Sequence, residues 1–208
     1  MDHAASVLAK DMMGCRFAYG QSDEYSFLAT DFERHESQQW FGGGIQKIAS
    51  ISASVFTAAF NSRYQRPDKV AVFDARVFTL PSEDEVLNYF IWRQKDAERN
   101  SLNMLASCHI SHQKLMNMNS EQRHDLLHRH GENWNNWPTA FKRGRVIRKM
   151  QRERDIIFTH KKTKQEITQH ITETYWAPDL EIPVFTANRE YLLDLTHYGS
   201  YDTGCVIR

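Results

Sequence analysis

Cysteine is scarce in this chain. Cys15, Cys108 and Cys205 are three in 208 residues, odd in number, far apart and without metal-ligand spacing. That excludes a disulfide-stapled scaffold and a cysteine-rich zinc module, and it fits a reduced, cytoplasmic protein. Long apolar runs are absent too: no stretch of 18 apolar residues offers a transmembrane helix. The N-terminus has no charged segment leading into an apolar one, so no signal peptide is expected. Charge of one sign is not in excess either, because 26 Lys and Arg balance 26 Asp and Glu. No global basic field advertises a nucleic-acid partner, and any such surface must be local. With 5 prolines, 9 glycines and no repeat or low-complexity linker, one domain over residues 1–208 is expected. Neither a Gly-x-Ser-x-Gly elbow, a Walker A loop nor a Rossmann fingerprint occurs.

What is present is material for a core: 41% of residues are hydrophobic and 12% aromatic. The informative segment is Tyr19-Gly20-Gln21-Ser22-Asp23-Glu24-Tyr25-Ser26-Phe27. Two runs that read as strands, Cys15 to Tyr19 and Tyr25 to Leu28, flank Gly20, Gln21 and Ser22 as the turn. Successive strand residues point to opposite faces, so Asp23 and Glu24 cannot both enter one pocket from a regular strand. A carboxylate at a sheet rim is how phosphoryl-transfer sites hold Mg²⁺, a hard cation that takes oxygen ligands. A plain polar hairpin turn fits the same residues.

Around this segment the pattern reads as follows. Residues 1–13 form a helix with an apolar stripe, stopped at Gly14. Residues 37–61 repeat apolar positions at helical spacing, and Gly42-Gly43-Gly44 places the helix start nearby. A glycine loop opening a helix exposes N–H groups to an anion, with Lys47 one turn in, and a flexible entry loop is the alternative. Residues 70–80 read as a strand. Ser82 and Glu85 read as a capping box for a helix to about residue 107, unusually polar in its middle. Ser120 to Arg129 is a shorter helix, Trp134 to Pro138 a loop, 145–150 and 155–160 a hairpin, and 188–195 a closing helix. His124, His128 and His130 lack a third ligand or His-Glu-x-x-His pattern, which favours a solvated helix face over zinc. Across 142–164, ten cations stand against Glu153 and Asp155, a local charge of +8. This is the best nucleic-acid footprint in the chain, and a charged edge strand is the alternative.

In order along the chain stand Tyr19 to Phe27, Lys47 with Ser50, Phe73-Asp74-Ala75-Arg76-Val77 before Pro81-Ser82, and Trp92-Arg93-Gln94 with Asp96, Asn100 and Asn103. Asn133-Trp134-Asn135 and Lys142-Arg143-Gly144 follow. This series resembles the tRNA-His guanylyltransferase family, the 3′-to-5′ nucleotide-adding polymerases, over roughly residues 4–195. The resemblance implies an α+β, polymerase-palm-like (ferredoxin-like) fold: an antiparallel sheet with helices on one face over 1–130, and a small β-containing C-terminal extension over 131–208. It implies an enzyme that activates the 5′ end of a tRNA with ATP and joins it to the 3′-hydroxyl of GTP, using two Mg²⁺ ions. Asp23 matches a metal-binding carboxylate and Glu24 its supporting neighbour. Ser22, Lys47 and Ser50 match positions that handle the nucleotide, and Lys142 and Arg143 match a basic pair beside it. The implied partners are tRNA and nucleoside triphosphates, with no membrane, and the implied assembly is a homotetramer.

Two departures qualify the resemblance. Where eukaryotic members carry His-Ile-Asn-Asn, this sequence has Glu98-Arg99-Asn100-Ser101. That is similar to the bacterial and archaeal like-protein branch, whose members repair 5′-truncated tRNAs, so tRNA-His maturation or 5′-end repair is implied. The family's first strand carries Asp-Gly-Arg, and no Asp-Gly-Arg stands in this sequence. The expectation is therefore a palm without its first strand. The alternatives are a catalytically impaired fragment of the family that binds RNA or nucleotides, and another palm-fold enzyme such as a nucleotide cyclase.

Overall fold

A computed structural model describes residues 1–197 apart from 33–35, 67 and 163; Cys205 lies outside the described residues. At its centre is strand β1, Cys15–Gln21, buried at all seven positions. It pairs antiparallel with β2, Glu24–Ala29, and with β3, Arg145–Thr159, which in turn pairs with β4, Glu166–Asp179. The sheet order is β2-β1-β3-β4, all antiparallel, as expected for the fold class.

The helices do not share one face. Cys15 and Ala18 of β1 pack against α1 (Asp2–Asp11) and α2 (Ile45–Arg63), through Leu8, Phe56 and Ala59. Phe17 and Tyr19 point the other way, against α3 (Glu83–Ser107) and α7 (Arg189–His197), through Leu87, Phe90 and Leu192. The pleat sends adjacent residues to opposite faces, and β1 is apolar on both, so each face needs its own cover. Phe17 and Phe90 rings lie 4.6 Å apart. Burying each such aromatic contributes about 2–3 kcal/mol. Val146 and Ile147 of β3 are fully buried, one in each core. Residues beyond 131 thus supply a central strand and a core helix.

The polar middle of α3 has a structural purpose. Buried Gln94 donates to the Pro183 carbonyl (2.9 Å) and accepts from the Phe185 N–H (2.7 Å). Buried Ser101 accepts from Trp134 Nε1 (3.0 Å) and donates to the Lys142 carbonyl (3.2 Å). Buried polar groups survive only when so satisfied, and these two fasten α3 to the C-terminal third. Ser82 caps the helix by accepting from Glu85 N–H, at 3.3 Å. Near the far end of α3, α4 (His112–Leu115) and α5 (Ser120–Arg129, capped by Asn119 and Gln122) close a third cluster around Leu127 and Trp134.

Three further expectations change. The hairpin turn is Ser22-Asp23, with Gly20 and Gln21 inside β1, because Gln21 and Glu24 form the last pair of the ladder. Residues 70–80 are not a strand: exposure alternates along them, but no ladder pairs them among the described residues. Asn61 and Thr57 of α2 hold them instead, through Ala71 and Phe73. The ribbon strands run unbroken over 145–159 and 166–179. The sequence pattern makes 151–154 the connection between the two strands, but cross-strand partners such as Glu173 opposite Arg152 neutralise that charged stretch within the ladder.

Candidate active site

The β1–β2 hairpin turn, the middle of α3 and the segment 142–145 converge. Ser22 is held at φ 47, in the left-handed region, so the turn closes in two residues and leaves both carboxylates at its rim. They differ in what they touch. Glu24 accepts from Gln21 Nε2 (2.7 Å) and pairs with Arg93 of α3. Arg93 also reaches Asp96 at 3.6 Å and stacks over Trp92, and Asp96 pairs with Arg99 and Asn100. Asp23 is exposed and has no hydrogen bond or ion pair among the described residues. Asp23 lies in the turn and Glu24 at the start of β2, so it is the contact with Arg93, and not strand alternation, that distinguishes the two exposed carboxylates.

Behind the turn, Gly144 sits at φ 80 against the backbone of Gly20. A Cβ there would collide with the Gly20 carbonyl and the Tyr19 ring. This close approach lets Tyr19 donate its hydroxyl to the Arg143 carbonyl, at 2.5 Å. Next to it, Asp2 accepts from both Tyr25 (2.6 Å) and Arg145 (2.5 Å), and the Arg145 guanidinium lies over the Tyr25 ring. Burial pushes the Asp2 carboxyl up, but the Tyr25 and Arg145 bonds outweigh it and hold it below its ordinary value. The same burial, with Asp2 beside it, raises the Tyr25 hydroxyl. Asp2, Arg93 and Arg145 were not singled out as site residues from the sequence. Their partners at the hairpin, Glu24 for Arg93 and Tyr25 with Arg145 for Asp2, are remote in the chain, so no local pattern could reveal these contacts.

The expected nucleotide-handling residues sit in two places. Lys47 and Ser50 lie exposed on the first turns of α2, with Lys47 Nζ 4.6 Å from the Phe41 ring centroid and Ser50 bonded to the Lys47 carbonyl. As expected, the helix starts directly after the glycine run, at Ile45, with Gly44 as its N-cap. Lys142 and Arg143 end the short helix α6, Thr139–Arg143. Lys142 is buried, donates to the Asn135 carbonyl (2.6 Å) and packs over Trp134. Burial, then Arg143, lowers its pKa. Arg143 pairs with Glu98 at 2.9 Å. The arginines of the basic run 142–164 are likewise paired: Arg148 with Asp179, and Arg152 and Arg154 both with Glu173. Aromatics do interleave with it, but from β4: Arg152 stacks on Tyr175 and Lys149 on Trp176.

No group of three metal-ligating side chains occurs among the described residues. His124 packs edge-on to Trp134, and His130 stacks on His109. No helix among the described residues is long and apolar enough to cross a membrane.

This arrangement matches known proteins along most of its length. A bacterial tRNA(His) guanylyltransferase (Thg1)-like protein solved in complex with ATP is 37% identical, with a TM-score of 0.77, the match covering 93% of this chain and 76% of that one. The chain belongs to the tRNA(His) guanylyltransferase family. A bacterial Thg1-like protein in complex with GTP is 36% identical, with a TM-score of 0.71. The family model, Thg1: tRNAHis guanylyltransferase, matches residues 1–81, which include the hairpin and the glycine-led α2. A probable tRNA(His) guanylyltransferase of Drosophila melanogaster is 25% identical over 88% of this chain and 67% of its own length. The tRNA(His) guanylyltransferase of Kluyveromyces lactis is 30% identical over 62% of this chain and 61% of its own. The Saccharomyces cerevisiae enzyme, at 24% identity and a TM-score of 0.60, shares the fold. The bacterial neighbours place the chain with the like-protein branch.

Proposed function

We propose that this protein is a Mg²⁺-dependent nucleotidyltransferase that adds guanylate or other nucleotides to the 5′ end of a tRNA in the 3′-to-5′ direction, using ATP and GTP. The observation that carries this reading is the likeness to bacterial Thg1-like proteins solved with ATP and with GTP. The hairpin supports it: Asp23 is a carboxylate with no partner among the described residues, held at a sheet rim by a turn that Arg93 fixes from α3. Mg²⁺ is commonly bound by one or two carboxylates, waters and substrate phosphates, and Asp23 fits that donor role. When bound, the ions neutralise charge on the transferring phosphoryl group. The chain's own contribution is positioning. Arg93 orients the turn, while Arg143 and Lys142, anchored by Glu98 and Asn135, keep the 142–145 segment against it. Lys47 and the N–H groups of the Gly44–Lys47 turn offer a second place for phosphates.

The engagement of Glu24 by Arg93 favours a second reading, a member that binds RNA or nucleotide without turnover. One assay separates the two: transfer of radiolabelled GTP to a 5′-truncated tRNA with ATP and Mg²⁺. Labelled tRNA that disappears when Mg²⁺ is chelated supports the enzyme. Retained tRNA or nucleotide binding with no labelled product supports the second reading.

A further inference from the structure

One face of α3 leads away from the hairpin. Arg93, Asp96, Asn100, Asn103 and Ser107 stand three and four positions apart, so they form a line along one side of the helix. Their contacts run along it: Arg93 holds Glu24 and reaches Asp96, and Asp96 accepts from Asn100 Nδ2 at 3.2 Å. The line ends at a cavity of about 320 Å³ between the second half of α3, the end of α4, and α5. Buried Leu115 gives the cavity an apolar wall, and the exposed side chains of Met104 and Met116 flank it. Two of its lining residues each leave a buried polar atom without a hydrogen bond: Asn103 its acceptor Oδ1, and Arg123 its donor Nε. The Arg123 guanidinium is nonetheless fixed, because its Nη2 donates to the Leu115 carbonyl at 3.0 Å. Buried polar atoms are almost always satisfied, so two exceptions of opposite kind in one cavity call for an occupant.

That pair of atoms selects the occupant. A backbone phosphate has only acceptors, so it suits Nε and leaves the Asn103 oxygen unanswered, and a cation suits that oxygen but is repelled by the guanidinium. A planar group with a donor beside an acceptor on one edge satisfies both atoms. Nucleobases carry such edges, and methionine side chains pack well on aromatic rings. We propose that the cavity binds one unpaired nucleobase of the RNA whose 5′ end lies at the hairpin; the proposal rests on tRNA being the substrate. Asn103 follows Arg93 by ten residues, roughly 15 Å along the helix at about 1.5 Å per residue, so the base belongs to a nucleotide near the reacting end. A paired base has its edge taken by the opposite strand, whereas loss of 5′ nucleotides leaves bases of the 3′ strand unpaired and available.

The test compares two RNAs: a tRNA acceptor-stem hairpin lacking its 5′ nucleotides, with an unpaired 3′ strand, and the same stem fully paired to a blunt end. Wild type is expected to bind the first about threefold to tenfold more tightly. Asn103→Leu keeps the side-chain size, removes the acceptor and should lose that preference. Its Tm should not fall, because the substitution takes a buried unsatisfied atom out of the fold. A merely structural Asn103 would do the reverse, lowering Tm and leaving the preference intact. Arg123→Lys keeps the charge but removes Nε, and it should also lose the preference, at an unchanged slope of log K against log salt. In a second arm, adenosine and guanosine are titrated into wild type and Asn103→Leu while Tm is followed. A preference equal in wild type and both variants overturns the RNA assignment, even if free nucleosides stabilise wild type. Failure of wild type to bind either stem refutes the tRNA reading instead. In that case the nucleoside arm decides the cavity: stabilisation that Asn103→Leu abolishes supports a nucleobase site, and none overturns it.

Discussion

Arg93 holds the carboxylate of Glu24 and thereby joins the middle of α3 to the turn that presents Asp23. The guanidinium is mostly covered, 12% exposed, whereas Glu24 is 52% exposed. The pair therefore stabilises the fold only modestly, because solvent screens its outer partner. Its larger effect is on placement. Arg93→Met is expected to lower stability by about 1 kcal/mol, a Tm fall of ~2–4 °C. Nucleotide addition should fall at least tenfold, since small displacements of a positioning group cost much in rate. Thermal unfolding and kcat/KM for addition are measured together. A Tm loss with unchanged kcat/KM would reduce Arg93 to a purely structural contact.

Under the proposed function, Asp23 serves the chemistry and not the fold. Asp23→Asn should unfold at the wild-type temperature and bind tRNA normally, because the side chain has no partner among the described residues. Addition should drop by about 3 kcal/mol in transition-state stabilisation, roughly 100-fold or more. Normal turnover removes Asp23 from the site.

Glu173 holds Arg152 at 2.8 Å and Arg154 at 3.3 Å on one face of the ribbon. The Arg152 hydrogen bond, chiefly, keeps its carboxyl below the ordinary range. Glu173→Gln frees both arginines. tRNA binding at low salt should tighten, with a salt slope steeper by about one. Neutralising Arg152 and Arg154 together should weaken binding similarly for different tRNAs. Unchanged salt dependence in both variants would make the ribbon a charged edge and not an RNA surface.

Gly144 is required by geometry. Its φ of 80 is one that residues with a Cβ rarely adopt, and the Tyr19 hydroxyl would lie 2.7 Å from that Cβ. Gly144→Ala should cost about 2 kcal/mol or more, a Tm fall of ~4–8 °C, by separating Tyr19 from Arg143. Differential scanning calorimetry reads this directly, and a Tm within one degree of wild type would contradict it.

Asp2 links stability to pH. Its folded-state pKa lies below the unfolded value of 3.8, so the stability it supplies is fully present above that value and is lost as pH falls through the folded pKa. At neutral pH, Asp2→Asn should be less stable than wild type. The difference should close as pH drops below 3.8. Tm measured across pH 2–7, a range set by ordinary carboxylate titration, checks the sign; a constant difference would exclude the Asp2–Tyr25–Arg145 contact as its source.

The sequence by itself determined the elements whose signals are local. Ser82 with Glu85 set the start of α3, the glycine run set that of α2, and the two apolar runs on either side of Gly20-Gln21-Ser22 set the hairpin, though not the exact turn residues, because caps, glycine and strand period act over a few residues. The order of its motifs also carried the family. Tertiary structure decided what depends on distant partners. Residues 70–80 have a strand's alternation but no neighbouring strand to bond, so they rest on α2 through Asn61 and Thr57. The charged stretch 151–155 stays extended because β4 brings Glu173 and His170 opposite it. Of the two adjacent carboxylates, only the packing of α3 decided that Glu24 is held while Asp23 has no partner among the described residues: Arg93 stands 69 positions away in the chain and is brought to Glu24 by the fold alone.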